Sequence, residues 1–186
     1  MQWAGLRSMA TAYISAGSNT GDSAALLKRA VCLLSEPFVP AGAVSGQQAG
    51  HVSLTVTAVS SVYRTEPQHV KDQPFFRNLV VRVYCPPECC AGIVLNRLLH
   101  IETLLGRVRN TGRFGPRAMD LDLLLYGNTI LDDERLTLPH PRMVDRAFVL
   151  VPLAEIEPEL VLPDGTAVST LLQRLCFRQV GDTIFQ

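Results

Sequence analysis

Lysine is scarce in this chain. Lys28 and Lys71 are the only two among 17 basic residues, so arginine carries nearly all the positive charge. That favours bidentate contacts to phosphate or carboxylate, because the guanidinium is a planar fork. Net charge is also missing, with a formal total of +0 at pH 7. A zero balance argues against a general binder of nucleic acid or anionic membrane. Aromatic residues make up only 6%, which leaves little for a base-stacking sheet, and no RNP signature is present. No apolar run approaches the ~18 residues of a membrane span. The sequence contains no GxxxxGK[ST], GxGxxG, HExxH or GxSxG, and no kinase-type HRD or DFG pair, so a P-loop and several other familiar catalytic devices are excluded.

The five cysteines, Cys32, Cys85, Cys89, Cys90 and Cys176, cannot all pair within one chain. The opening MQWAGLRSMA lacks the apolar core of a signal peptide, so reduced thiols and a cytoplasmic location are expected. Cys85, Cys89 and Cys90 have no second thiol or histidine pair at zinc-like spacing and read as buried or incidental thiols. What the chain does have is 47% apolar residues over 186 positions. That is enough for one well-cored domain and short for two. Residues 1–10 read as an N-terminal extension, with Met9 an alternative start, and 11–186 as the single domain.

The hydrophobic pattern alternates strands with helices. Thr11 to Ala16 reads as a short strand ending at Gly17-Ser18-Asn19. Asp22 or Ser23 caps a helix whose apolar stripe is Leu26, Leu27, Ala30, Leu33 and Leu34, and Pro37 ends it. Residues 40–51 lack periodicity and read as a surface loop. Val52 to Tyr63, rich in β-branched residues, reads as a strand. Residues 64–76 hold two prolines and form a substantial loop before a strand from Asn78 to Tyr84. Pro86-Pro87 start a helix that runs to about Leu105 and closes at Gly106. Met119 to Tyr126 is a further strand, turned by Gly127-Asn128 towards Ile130-Leu131. Ala147 to Ile156 reads as a helix, Val161-Leu162 as a short strand and Val168 to Leu175 as a last helix. The order β-α-β-β-α-β, with additional C-terminal helices, is that of a ferredoxin-like α+β sandwich with an antiparallel sheet.

One stretch, GRFGPRAMDLDLLLY at 112–126, concentrates the chemistry. In a strand alternate side chains share a face, so Met119, Leu121, Leu123 and Leu125 are expected to point into the core. Asp120 and Asp122 then point together the other way, with Cα atoms about 7 Å apart. Two parallel carboxylates repel, and neither tolerates burial without a positive partner. Arg107, Arg109, Arg113 and Arg117 lie just upstream, and four guanidiniums outnumber two carboxylates. An anion that brings divalent cations resolves both halves, its phosphates meeting the arginines and its Mg²⁺ ions meeting the aspartates. An isolated DxD more often marks an exposed strand face with scattered ion pairs. With the arginine run and the Gly115-Pro116 turn before it, this one points to a nucleoside triphosphate site.

Four blocks occur in order: GSNTGD at 17–22, SSVYRTEP…DQPFFRN at 60–78, LGRVRNTGRFGPRAMDLDLLLYG at 105–127, and LTLPHPRMVDRAFVLVPLAEI at 136–156. On these blocks the chain resembles, from Tyr13 to about residue 175, the 6-hydroxymethyl-7,8-dihydropterin pyrophosphokinases of the folate pathway. The resemblance implies transfer of the β,γ-pyrophosphoryl group of ATP to the hydroxymethyl oxygen of the pterin, with release of AMP and participation of two Mg²⁺ ions. It places Asp120 and Asp122 as the metal-bridging aspartates, and Arg107 and Arg117 as the arginines that engage the triphosphate during transfer. Arg109 and Arg113 match further nucleotide-side positions, with Phe114 in place of a frequent tryptophan. Leu95, Glu102, Leu123, Arg135, Leu136, Thr137, His140 and Arg146 fall at the remaining ATP-binding positions, with His140 expected to donate a hydrogen bond.

For the pterin, the resemblance implies a ring sandwiched between Phe76 and Phe148. Asn78 reads its amide-like edge, and Thr65 begins a loop, with Glu66 and Gln68, that lines the same slot. The loops 64–76 and 106–118 are expected to close over bound substrates. Leu99 stands where some family members have a polar contact to nucleotide. The protein is expected to be a monomer whose partners are small molecules, with no nucleic acid and no membrane. A single-stranded RNA-binding module is a rival reading from another class, favoured by binding that falls steeply with salt. A DxD nuclease or nucleotidyltransferase is chemically closer. AMP formed from ATP only in the presence of pterin separates it from the kinase.

Overall fold

Two long strands, β1 (Ala10–Ser18) and β4 (Phe76–Cys85), pair antiparallel along the whole of β1, from Ala10 opposite Cys85 to Ser18 opposite Arg77. They form the spine of a mixed α+β fold. The computed structural model describes residues 9–40, 50–68, 70–107 and 115–186. Between the spine strands lie α1 (Ser23–Ser35), β2 (Thr55–Val59) and β3 (Tyr63–Thr65). After β4 come α2 (Ala91–Leu104), β5 (Asp120–Tyr126), β6 (Leu131–Asp132), β7 (Thr137–Leu138), α3 (Ala147–Ile156), α4 (Val168–Arg174), β8 (Arg178–Val180) and β9 (Thr183–Phe185).

The main sheet runs β5-β1-β4-β3-β9-β8, with β2 also on β4. The expected antiparallel sheet needs correction, because β9 pairs parallel to β3. The β8–β9 hairpin, turned at Gly181 with φ 58°, returns after α4 and lies along the free edge of β3. Its strands are three residues each, too short for a periodic pattern, and the sequence reading contained neither. The strand expected from Val52 to Tyr63 is broken into β2 and β3. At the break the Ser60 hydroxyl, in place of a backbone carbonyl, accepts the Val80 N–H at 2.9 Å.

Other expectations hold with shifted ends. Asp22 caps α1, its carboxylate accepting from the Ala25 N–H at 3.1 Å, and Leu27, Ala30, Leu33 and Leu34 are buried while Leu26 is half-buried. The helix stops at Ser35 because Glu36, which precedes Pro37, is pushed into extended backbone. The next helix begins at Ala91, five residues after Pro86, once a turn closed by the Cys89 N–H on Pro86 O has reversed the chain. Val161 makes only an isolated bridge to Ala167. Ala10, placed outside the domain, opens β1.

Two apolar clusters sandwich the sheet. One gathers Leu27, Leu34, Val94, Leu98 and Ile101 from α1 and α2 against Ile14, Val81 and Leu123. The other gathers Val149, Leu150, Leu153 and Val168 from α3 and α4 against Tyr13, Val80 and Leu124. Leu125 belongs to the second cluster rather than sharing the face of Leu121 and Leu123. A register shift between Tyr13 and Ile14 takes up one extra residue of β5, so Leu124 and Leu125 both turn to the α3 side. The loop at 41–49 lies outside the described residues. At its base Phe38 and Val52 exchange backbone hydrogen bonds of 2.9 Å.

Candidate active site

The pocket lies where α3 stops short of covering the sheet. Gly17 of β1 sits opposite Asn78 of β4 on one side and Asp120 of β5 on the other, and Ser15 sits opposite Asp122. The strand period of two aims Phe76, Asn78, Asp120 and Asp122 at the α3 face, and all four line the pocket with Ser15, Gly17, Thr65, Glu66, Gln68, Gln73, Gly115, Arg117, Arg142, Arg146 and Phe148. Gly17 is needed there. A Cβ at this position would stand 2.5 Å from Asn78 Oδ1. Asn78 is itself fixed, only 4% exposed, with its Nδ2 donating to Thr65 Oγ1 at 2.7 Å.

The paired carboxylates each have their own cations. Asp120 meets Arg107 at 3.0 Å and Arg117 at 2.7 Å. Asp122 meets Arg146 at 3.4 Å, with His140 Nε2 at 3.8 Å. Both carboxylates are partly open to the pocket, with side-chain exposures of 24% and 30%. Among the described residues no three His, Cys, Asp or Glu converge on one point.

Behind Asp120 lies Glu102, 1% exposed. Its Oε1 accepts from the Leu121 N–H at 2.8 Å and from the Arg107 guanidinium, while Oε2 has no partner. Burial pushes its carboxyl up to about 7. The Leu121 N–H and Arg107 pull the other way, and Asp120 adds to the rise. Burial also lowers the His140 imidazole, with Arg146 and Arg142 adding to the effect and Asp122 opposing it. The Arg142 N–H donates to His140 Nδ1 at 3.2 Å, so the proton of the neutral ring stands on Nε2, which faces Asp122.

The remaining expected residues are dispersed around this centre. Leu95 is half-buried on α2, Arg135 donates to Asn96 Oδ1 at 2.9 Å, and Thr137 donates to Asp132 Oδ1 at 3.1 Å. Leu136 packs on the first core cluster and Leu123 is buried within it. Arg109, Arg113 and Phe114 lie outside the described residues. The sequence reading missed Ser15, Gly17, Gln73, Gly115 and Arg142 as pocket residues, although all but Ser15 stand within the quoted blocks. It also missed the bonding of Asn19, whose Nδ2 donates to Gln73 Oε1 at 3.1 Å and to Pro74 O at 3.2 Å. All five cysteines are free thiols, and burial pushes that of Cys85 up to about 12. No helix among the described residues is long and apolar enough to cross a membrane.

One pocket thus gathers two aromatics, several polar side chains and an acidic pair met by arginines, a lining suited to a small molecule. The chain belongs to the 7,8-dihydro-6-hydroxymethylpterin-pyrophosphokinase (HPPK) family, whose model matches residues 13–158. It is 41% identical over 145 residues to the 2-amino-4-hydroxy-6-hydroxymethyldihydropteridine pyrophosphokinase of Bacillus subtilis, covering 78% of this chain and 77% of that one. To the enzyme of the same name from Methylorubrum extorquens it is 42% identical over 167 residues, covering 90% and 94%. Among solved structures it is similar to Plasmodium falciparum HPPK-DHPS, with a TM-score of 0.63 at 13% identity. That match covers 92% of this chain and 46% of the other, so the chain spans less than half of that longer protein.

Proposed function

We infer that this protein transfers the terminal diphosphoryl group of ATP to the hydroxymethyl oxygen of 6-hydroxymethyl-7,8-dihydropterin. The products are the pterin diphosphate and AMP, a step in folate biosynthesis. The observation that carries this reading is the placement of Asp120 and Asp122 on one face of β5, in a pocket also lined by Phe76 and Phe148. Phe76 and Phe148 stack on the bicyclic ring. Asn78 and Thr65 hydrogen-bond its edge, and Glu66 and Gln68 close the loop beside it. Arg107, Arg117 and Arg146, now paired to the aspartates, exchange those carboxylates for phosphate oxygens when nucleotide arrives. His140 donates from Nε2, and Leu95, Glu102, Leu123, Arg135, Leu136 and Thr137 form the nucleotide side. Arg109, Arg113 and Phe114 complete that side in this reading.

The acidic pair suits Mg²⁺. This ion is typically held by one or two carboxylates plus substrate phosphates, and both aspartates offer hard oxygen donors partly open to the pocket. Asp120 and Asp122 would hold two such ions, which would supply positive charge to neutralise the negative charge on the attacking and leaving oxygens. The order β5-β1-β4-β3 in the sheet supports a ferredoxin-like core extended by the C-terminal hairpin. The protein acts as a monomer in the cytoplasm, an environment that keeps five free thiols reduced. Incubation with ATP, Mg²⁺ and the pterin, followed by separation of nucleotides, tests the assignment. AMP should form only when the pterin and Mg²⁺ are both present, and AMP formed without pterin would remove it.

A further inference from the structure

The β8–β9 hairpin lies outside the stretch that matches the family, residues 13–158, yet it ends against the pocket. β9 is anchored along β3, with Arg64 opposite Thr183 and Thr65 opposite Ile184, and the Arg64 N–H donates to Asp182 O at 2.8 Å. Ile184 is 1% exposed. The Phe185 ring meets Phe75 edge-on with centroids 6.4 Å apart, and the Arg64 guanidinium lies 4.1 Å above Phe75. The hairpin is therefore seated by backbone pairing and by rings before its last contact is made.

That contact is Gln186. Its backbone N–H donates to Glu66 Oε1 at 2.9 Å. Its side-chain Oε1 accepts from the Ala147 N–H at 2.8 Å and from Gln68 Nε2 at 3.0 Å, and its Nε2 donates to Asp145 O at 2.7 Å. Glu66 and Gln68 line one wall of the pocket, and Arg146 and Phe148 line another. Ala147 is the first residue of α3, and Arg146 gives that helix no side-chain cap. A first-turn N–H has no partner within the helix, so the Gln186 amide supplies one from a distant part of the chain.

We propose that Gln186 is a positioning residue for the pterin: one side-chain amide joins the 66–68 loop to the first turn of α3 and sets the spacing between the two walls of the slot. The proposal rests on the pyrophosphokinase reading for the identity of the ring. Its geometry concerns chiefly the pterin wall, since none of the four contacts reaches Arg107, Arg117, Asp120 or Asp122; on the nucleotide side it bears only on Arg146, through the backbone of its neighbours Asp145 and Ala147.

Gln186→Leu removes all three side-chain hydrogen bonds and keeps the β9 pairing. Gln186→Glu keeps the two acceptor contacts and adds a negative charge favoured near a helix N-terminus, but turns a second acceptor oxygen on Asp145 O in place of the donor. KM for the pterin should rise about fivefold in Gln186→Leu and by a smaller factor in Gln186→Glu, while KM for ATP moves less than about twofold. The dissociation constant of the pterin without nucleotide, read from its fluorescence, should shift by the same factor. Unchanged pterin affinity in Gln186→Leu would overturn the proposal. So would a parallel rise of both KM values with a fall of melting temperature, which marks general destabilisation. Pterin binding by the unaltered protein without AMP formation would sink the kinase reading and leave this binding comparison intact.

Discussion

Asn19 and Arg117 hold each other from both sides. The Asn19 N–H donates to Arg117 O at 3.1 Å, and the Arg117 N–H donates to Asn19 Oδ1 at 2.8 Å. With its Nδ2 on Gln73 and Pro74, this one amide, 4% exposed, ties the ring-side loop to the segment that presents Arg117. Asn19→Leu leaves the Arg117 N–H and Pro74 O without their partner. Stability should fall by about 1–3 kcal/mol, and kcat/KM should drop at least tenfold because Arg117 is no longer fixed. Asn19→Asp keeps the acceptor and should lose less of both. Thermal melts and turnover of the two variants check this, and equal behaviour would show that the Oδ1 bond has no part in it.

Gly17 lies against Asn78 with no space to spare. Gly17→Ala puts a methyl 2.5 Å from Asn78 Oδ1, and the Asn78 side chain cannot yield without breaking its bond to Thr65 Oγ1. Overpacking of this kind costs about 1–3 kcal/mol. Pterin affinity should fall with it, since the displaced amide is the group assigned to the ring edge. Wild-type pterin binding in Gly17→Ala, measured by titration, would remove Asn78 from that role.

Asp122→Ala should abolish AMP formation while the fold survives. The carboxylate is partly exposed and its loss leaves only Arg146 and His140 unpaired. Arg117→Ala should act differently, lowering kcat more than either KM, because a guanidinium that reaches the transferring group matters most in the transition state. Steady-state kinetics with circular dichroism as a fold control decide both. Normal turnover in Asp122→Ala, or a change confined to KM in Arg117→Ala, contradicts the assigned roles.

Glu102 predicts a pH signature. Burial raises its carboxyl from an ordinary 4.5 to about 7, so the folded chain holds this proton more tightly than the unfolded chain does. The associated stability is fully present below about pH 4.5 and is lost as pH rises through about 7. Glu102→Gln keeps an acceptor for the Leu121 N–H and does not titrate. The melting temperature of the unaltered protein, minus that of Glu102→Gln, should therefore decrease across this window and level off above it. A flat difference would mean that the Arg107 guanidinium and the Leu121 N–H hold Glu102 ionised throughout.

Much of the site was legible because it is local. The placement of Asp120 and Asp122 on one face follows from a period of two in β5. Asp22 as the cap of α1, and α3 from Ala147 to Ile156, follow from spacing and composition in the same way. The identity of Phe76, Asn78 and Phe148 as pocket residues came from resemblance, since nothing in their own neighbourhoods separates a slot from a core. Arg142 and Asn19 were invisible for a related reason, as their importance lies in what they face across the fold.

By itself the sequence determined the family, the strand that carries the acidic pair and the arginines available to it, because these depend on residue type and short-range spacing. Tertiary structure alone decided which cation each aspartate meets, and that Glu102 lies buried behind them with its carboxyl raised. It also turned Leu125 to the opposite face and brought Gln186 across to Gln68 and Ala147. Each of these outcomes depends on hydrogen bonds and burial between segments far apart in the chain, where no periodicity links one partner to the other.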